Sequence, residues 1–212
     1  MSGFATPYSL VPPVVKSLLI ANGIIFVLQM YMGNTMIAEL ALWPLDLSSR
    51  PDIASTRPQF GISQLVTYAF LHGGMMHLLL NMYALWMFGS RIERLWGSKV
   101  FAIYYFVCVV GAGLMQLLVS SQGNNIYPTV GASGGVFGLL LAFGMFYPRE
   151  RLILIFPPIP MEARWFVIVF GAIELWFGIT GTAQGIAHFA HLGGMLFGFI
   201  LILYWKKHPP RF

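Results

Sequence analysis

Residues 131–147 read GASGGVFGLLLAFGMFY. The first five, Gly131-Ala132-Ser133-Gly134-Gly135, carry the G-x-S-x-G spacing that sets a nucleophilic serine on a strand-to-helix turn in water-soluble hydrolases. The residues that follow, Val136 through Tyr147, are uncharged and apolar, and read as helix in hydrocarbon. A serine caged in small residues at the mouth of a membrane helix narrows the chemistry sharply.

The rest of the chain agrees with a membrane solvent. Of its 212 residues, 58% are hydrophobic and 9% charged, against roughly a quarter charged in soluble domains. Six apolar runs, about 14–33, 71–90, 100–120, 131–147, 163–180 and 186–205, approach the length a helix needs to cross the bilayer core, the fourth being short. No linker is long enough to separate two domains, so residues 1–212 are expected to form one membrane-embedded, all-α, six-helix domain. The net charge of +5 is not a nucleic-acid signal, because the basic residues sit at helix ends. With the N-terminus inside, Lys16, Arg91, Arg94, Lys99, Arg149, Arg151, Arg164, Lys206, Lys207 and Arg211 fall in inner segments, and Arg50 and Arg57 in an outer loop. That split of the 12 Lys and Arg residues places both termini in the cytoplasm.

Cys108 is alone, so no intramolecular disulfide framework is available. The segment before the first span holds Pro7, Pro12 and Pro13 with no basic leader or small-residue cleavage site, so this span is expected to be retained as a helix. The long first loop mixes Leu40, Leu42, Trp43 and Leu45 with Pro44, Pro51 and Pro58, a composition suited to the membrane interface. Pro157, Pro158 and Pro160 rule out a continuous helix across the inner loop 148–162.

Polar side chains within spans are costly, and each needs an account. They are Asn22, placed for a hydrogen bond to a neighbouring helix; His72, His77 and Asn81 in span two; Ser133 in span four; Glu174 in span five; and His188 and His191 in span six. Spans two, four and six share one direction, so His77, Asn81, Ser133 and His191 all fall in the outer half. At a rise of ~1.5 Å per residue, His77 and His191 lie roughly 8–10 Å below the outer ends, with Ser133 in the first turn. A histidine base at the depth of a serine supplies the parts of an activated nucleophile. Gly131, Gly134, Gly135 and Gly138 on span four, and Gly194 and Gly198 on the His191 face of span six, would let the two backbones approach closely.

These motifs resemble the rhomboid family of intramembrane serine proteases in its minimal six-helix bacterial form. Gly131-Ala132-Ser133-Gly134 is similar to the nucleophile motif, and Ala190-His191-Leu192-Gly193-Gly194 to the general-base motif. His77-Leu78-Leu79-Leu80-Asn81 resembles the H-x-x-x-N that helps form the oxyanion hole. The resemblance implies a serine endopeptidase working through a Ser133–His191 dyad without a cofactor or metal. Its oxyanion would be held by His77, Asn81 and the Ser133 N–H. The implied partners are transmembrane protein substrates in a lipid bilayer, and the implied location is a bacterial inner membrane with the site open to the periplasmic or extracellular side. Two departures stand out. Ser63 and Gln64 occupy the positions of the family's Trp-Arg pair, and Phe137 replaces a tyrosine that stacks on the catalytic histidine, keeping the ring without the hydroxyl.

His72 is expected to tie the loop entry to span two, and His188 is a competing base that lacks the Gly194/Gly198 face. Glu174, near mid-span on another helix, is expected to be a bundle-facing hydrogen-bonder, with no third acid at the depth of the dyad. A metal or haem centre is the main enzymatic rival, weakened by the lack of an H-E-x-x-H. A catalytically inactive, rhomboid-like chaperone for membrane helices is the alternative from another class; the intact Ser133 and His191 oppose it. A transporter is disfavoured by the absence of an internal repeat.

Overall fold

The computed structural model describes residues 10–45, 58–120, 127–153, 158–182 and 185–210. Pro7, Arg50, Pro51, Arg57, Pro157 and Arg211 lie outside the described residues.

Helix α1 (Pro13–Met32) opens on proline, whose missing N–H is no loss at a first helical position. The next two N–H groups, of Val14 and Val15, donate to the Glu93 carboxylate at 2.9 and 2.8 Å, and Ser98 Oγ donates to it at 2.7 Å. Glu93 is a buried carboxyl group seated on the positive end of α1. Its capping role is invisible in the sequence, because the two backbone donors lie almost eighty residues away. Asn22 donates to its own Leu18 carbonyl at 2.8 Å, so its N–H group serves α1 itself rather than the neighbouring helix expected.

The first loop contains α2 (Asn34–Leu40) and leads to α3 (Gln64–Thr67), extended by a 3-10 turn at Tyr68–Phe70. Helix α4 (Met75–Ala84) passes through a π turn, Leu85–Gly89, directly into α5 (Ser90–Trp96). The second span therefore begins four residues later than the expected 71 and ends past Gly89. The chain is extended at Leu71 and Gly74, and the poor helix formers Gly73-Gly74 delay the start. Helices α6 (Ser98–Ser120), α7 (Ser133–Phe146), α8 (Ala163–Thr180) and α9 (His188–Lys207) follow. Among the described residues four helices, α1, α6, α8 and α9, are long and apolar enough to cross a membrane, and α7 is a shorter apolar helix. The protein is an integral, multi-pass, all-α membrane bundle. Between α7 and α8, β1 (Arg151–Ile153) pairs antiparallel with β2 (Pro160–Glu162).

Trp96 gathers one end of the bundle: its ring lies 4.9 Å from Tyr104, 5.3 Å from Phe146 and 5.8 Å from Trp205. The described Lys and Arg residues lie toward this end, and Ser133, His77 and His191 toward the other.

Glycines set how closely the central helices approach. A Cβ on Gly194 would stand 2.8 Å from the Gly134 carbonyl carbon, and one on Gly138 would stand 3.2 Å from the Gly194 oxygen. Helices α7 and α9 thus touch backbone to backbone, as small residues permit in lipid. On the other flank, Gly193 faces the Gly111 oxygen of α6, where an added Cβ would stand 3.0 Å away. Tyr104 donates its hydroxyl to Gly138 O at 2.8 Å, and Tyr68 donates to Val109 O at 2.7 Å, pinning α6 to its neighbours.

Gln64 fills the departure noted in the first loop. Its buried amide accepts from Trp43 N–H at 3.2 Å and donates to Glu39 O and Gln59 O, both at 3.3 Å. Thr67 Oγ1 adds a bond to Leu40 O at 2.8 Å. Leu42 and Thr129 exchange backbone bonds of 3.0 and 2.9 Å, and Gly131 N–H donates to Tyr68 O at 2.9 Å. The first loop is in this way stitched to the segment that presents Ser133.

Candidate active site

Ser133 is the first residue of α7, and His191 lies one turn into α9. The two meet: Ser133 Oγ stands 2.8 Å from His191 Nε2, a hydrogen bond in which the hydroxyl donates when that nitrogen is bare. The Gly134–Gly194 contact one step below makes this reach possible for so short a side chain. Phe137, one turn beyond Ser133, stacks on the His191 ring at 4.2 Å with an interplanar angle of 5°. The ring contact survives the loss of the hydroxyl.

His77 enters from α4. Gly73 N–H donates to its Nδ1 at 3.2 Å, which leaves the neutral ring's proton on Nε2. That nitrogen borders the space over Gly131. A Cβ there would stand 2.9 Å from His77 Nε2 and 3.7 Å from Ser133 Oγ. Gly131 also has φ +126°, a conformation L side chains rarely adopt, so glycine is required twice over. Asn81 is buried, and its amide donates to His77 O at 2.9 Å, one turn back on its own helix. The structure therefore brings Ser133, His191 and His77 around one small space, with the Asn81 amide engaged locally.

The remaining histidines have distinct settings. Gln29 clasps the backbone of His72, donating to its carbonyl at 2.7 Å and accepting from its N–H at 3.0 Å. The tie shown at His72 is therefore one of its main chain to α1 rather than of its side chain to the second span, and its buried imidazole lies edge-on to His77 at 5.2 Å. His188 Nδ1 lies 2.6 Å from Glu174 Oε2, and the ring that reaches Ser133 is that of His191.

Glu174 corrects the expected depth. Its Oε2 also lies 2.9 Å from His191 Nδ1, so a carboxylate does stand at the level of the serine–histidine pair. Helix α8 runs opposite to α9, and Glu174 lies six residues from its end at Thr180, or about 9 Å at the helical rise. Counting from the start of the span hid this; counting from the shared end would have found it. The contact is close but not aligned as a hydrogen bond, whereas the His188 contact is.

Glu174, His188 and His191 together offer three donor atoms within 4.8 Å of one another, the composition of a two-histidine, one-carboxylate metal site. Their closest separations are 2.6 Å, a hydrogen bond, and 2.9 Å. Ligands about 2 Å from one tetrahedral ion stand roughly 3.3 Å apart.

A bare imidazole nitrogen on a hydroxyl, beside a ring N–H and a helix N-terminus, can remove a proton and stabilise a developing oxyanion. Comparison with known proteins shows the family. The family model described as "Rhomboid domain" matches residues 59–208. "Presenilin-associated rhomboid-like protein A, mitochondrial" of Danio rerio is 31% identical over 155 residues, covering 69% of this chain and 39% of the relative. "Rhomboid protein 1, mitochondrial" of Saccharomyces cerevisiae is 31% identical over 148 residues, 68% of this chain and 42% of that protein. "RHOMBOID-like protein 5" of Arabidopsis thaliana is 32% identical over 143 residues, 66% and 44% respectively. The matches span about two fifths of the length of these curated relatives. With a family match across most of its length, the chain belongs to the rhomboid family.

Proposed function

We propose that this protein is an intramembrane serine endopeptidase that cuts other membrane proteins in or near their transmembrane segments. The observation that carries the reading is the 2.8 Å contact between Ser133 Oγ and His191 Nε2. In the first step His191 Nε2 takes the Ser133 proton as Oγ bonds to the scissile carbonyl carbon, and the carbonyl's π pair moves onto oxygen. His77 Nε2–H, the second amide N–H of Asn81 and the Ser133 backbone N–H, at the positive end of α7, hold that oxyanion. Collapse breaks the C–N bond, and the imidazolium delivers its proton to the leaving amine. Water then repeats the sequence on the acyl-enzyme. Gly131, Gly134, Gly194 and Gly198 support the site by clearance, and Phe137 by stacking.

A helical substrate shields its peptide bonds with its own hydrogen bonds, so local unwinding must precede attack. Helices with a small residue at the cut and weak helical propensity are the expected substrates, entering between α4 and α8. Both helices carry exposed apolar side chains, Met76 and Leu79 on one, Trp176 and Ile179 on the other. The single domain sits in a bacterial cell membrane with the basic end cytoplasmic and the serine end facing the periplasm or exterior. The charge pattern supports this orientation, and two of the relatives named above are mitochondrial by name.

A fluorophosphonate probe, which phosphonylates activated serines, tests the reading. The wild type should be labelled in detergent and Ser133→Ala should not; an unlabelled wild type, or equal labelling of both, refutes the assignment.

A further inference from the structure

We propose that Glu174 is a positioning residue for the general base, making the site a Ser133–His191–Glu174 constellation with His188 as the carboxylate's anchor. The inference rests on the protease reading above and deepens it.

Four observations converge. Glu174 is 9% exposed on α8, a helix whose other buried positions among the described residues are only Ala163 and Val167. A carboxylate buried in a membrane bundle must be compensated by partners. Its two partners are both imidazoles of α9: His188 Nδ1 at 2.6 Å and His191 Nδ1 at 2.9 Å. The same His191 ring presents its other nitrogen to Ser133 at 2.8 Å. Finally, His191 Nδ1 is a buried polar atom with no aligned hydrogen bond among the described residues.

The chemistry follows from the two nitrogens. A neutral imidazole carries one proton, and only the tautomer protonated at Nδ1 leaves Nε2 free to accept from serine. A carboxylate 2.9 Å from Nδ1 favours that tautomer, because it attracts the N–H and repels a lone pair. When Nε2 takes the Ser133 proton, the new positive charge forms beside Glu174, which stays ionised and gains no proton. In the resting arrangement His188 holds the better-aligned bond and fixes the carboxylate in place. The His191 contact is already at hydrogen-bond distance, 2.9 Å, and such contacts often tighten and align on the way to the transition state.

A purely structural Glu174 would merely fasten α8 to α9, and a metal centre would use the same three side chains as ligands. Both are separable from the proposal by measuring the phosphonylation kinetics of Glu174→Gln, which keeps the shape and removes the charge. The maximal labelling rate should fall about 10- to 100-fold with the probe's half-saturating concentration unchanged, a smaller loss than removing the base because Nε2 remains. Glu174→Gln labelled at the wild-type maximal rate, whatever its thermal stability, overturns the proposal. So does labelling that is abolished by chelation and restored by Zn²⁺. A wild type that is never labelled refutes the protease reading instead. A second measurement reads the tautomer directly. In protein labelled with ¹⁵N at histidine, the imidazole whose signals disappear in His191→Ala should be protonated at Nδ1 and bare at Nε2, whereas His77, with Gly73 N–H on its Nδ1, should show the reverse. The opposite tautomer at His191 overturns the assignment.

Discussion

Replacing Gly194 with alanine adds one methyl group, three residues beyond the base, at the point where α9 rests on α7. Ordinary van der Waals contact begins near 3.4 Å, whereas this Cβ would stand 2.8 Å from the Gly134 carbonyl carbon and nearer still to its oxygen. The obstruction is helix backbone, which cannot swing aside as a flexible side chain can. The helices must therefore part by at least about 0.6 Å (3.4 − 2.8). If His191 moves with its helix, its 2.8 Å contact with Ser133 lengthens to about 3.4 Å or more, outside the range of an O–H hydrogen bond. Misplacement on this scale costs catalysis about 100-fold, while overpacking costs stability about 1–3 kcal/mol. Gly171→Ala is the matched control. Its Cβ would meet Met195 Cε at an ordinary 3.4 Å, and relief of glycine's poor helix propensity adds up to about 1 kcal/mol. The assay is the rate of fluorophosphonate labelling in detergent, with thermal unfolding to count the folded fraction. Gly194→Ala labelled as fast as Gly171→Ala, under conditions where Ser133→Ala is silent, would refute the claim that backbone contact holds the base in reach.

Three further outcomes follow from individual contacts. His77→Ala should lower the labelling rate about 100-fold through loss of an oxyanion donor, and Asn81→Ala only about tenfold, because its amide already donates to His77 O; the reverse order would contradict the donor assignment. Gln64→Ala removes the amide that accepts from Trp43 N–H and donates to Glu39 O and Gln59 O, and should cost about 1–3 kcal/mol in thermal or denaturant unfolding, an unchanged midpoint showing that the first loop is held by something else. Glu93→Ala strips the acceptor from Val14 N–H, Val15 N–H and Ser98 Oγ, for a loss of about 3 kcal/mol; a stable variant would mean that α1 does not depend on this cap.

What was legible in the sequence shared one property: it was local to a single helix. The Ser133 motif, the His191 face with Gly194 and Gly198, and the His77–Asn81 spacing are each written within a turn or two of one span. Their common depth followed because α4, α7 and α9 share a direction. Span ends were less legible. Gly73-Gly74 inside an apolar run looked like membrane helix but behave as a break, and the π turn at Leu85–Gly89 carries the same span onward to Trp96. Gln64 looked like a missing contact because a guanidinium was expected, yet an amide is both donor and acceptor. It can therefore join Trp43, Glu39 and Gln59 in a way a donor-only side chain cannot.

The two buried carboxylates, Glu93 and Glu174, are not legible along the sequence for a different reason. Glu93 and Glu174 have no partner on their own helix, and hydropathy assigns each only a cost. In water a lone carboxylate needs no explanation, so sequence habits pass over it. In hydrocarbon the cost itself demands a partner, and geometry limits the choice to groups at the same depth on a neighbouring element. For Glu93 the partners are the unsatisfied N–H groups opening α1, which begins at the same end of the bundle. For Glu174, on a helix running opposite to α9, the groups at matching depth are His188 and His191. Depth counted from a shared membrane face, with alternate helices reversed, pairs both acids with their partners. The same count places a negative charge beside the imidazole that touches Ser133, where a serine–histidine pair alone was expected.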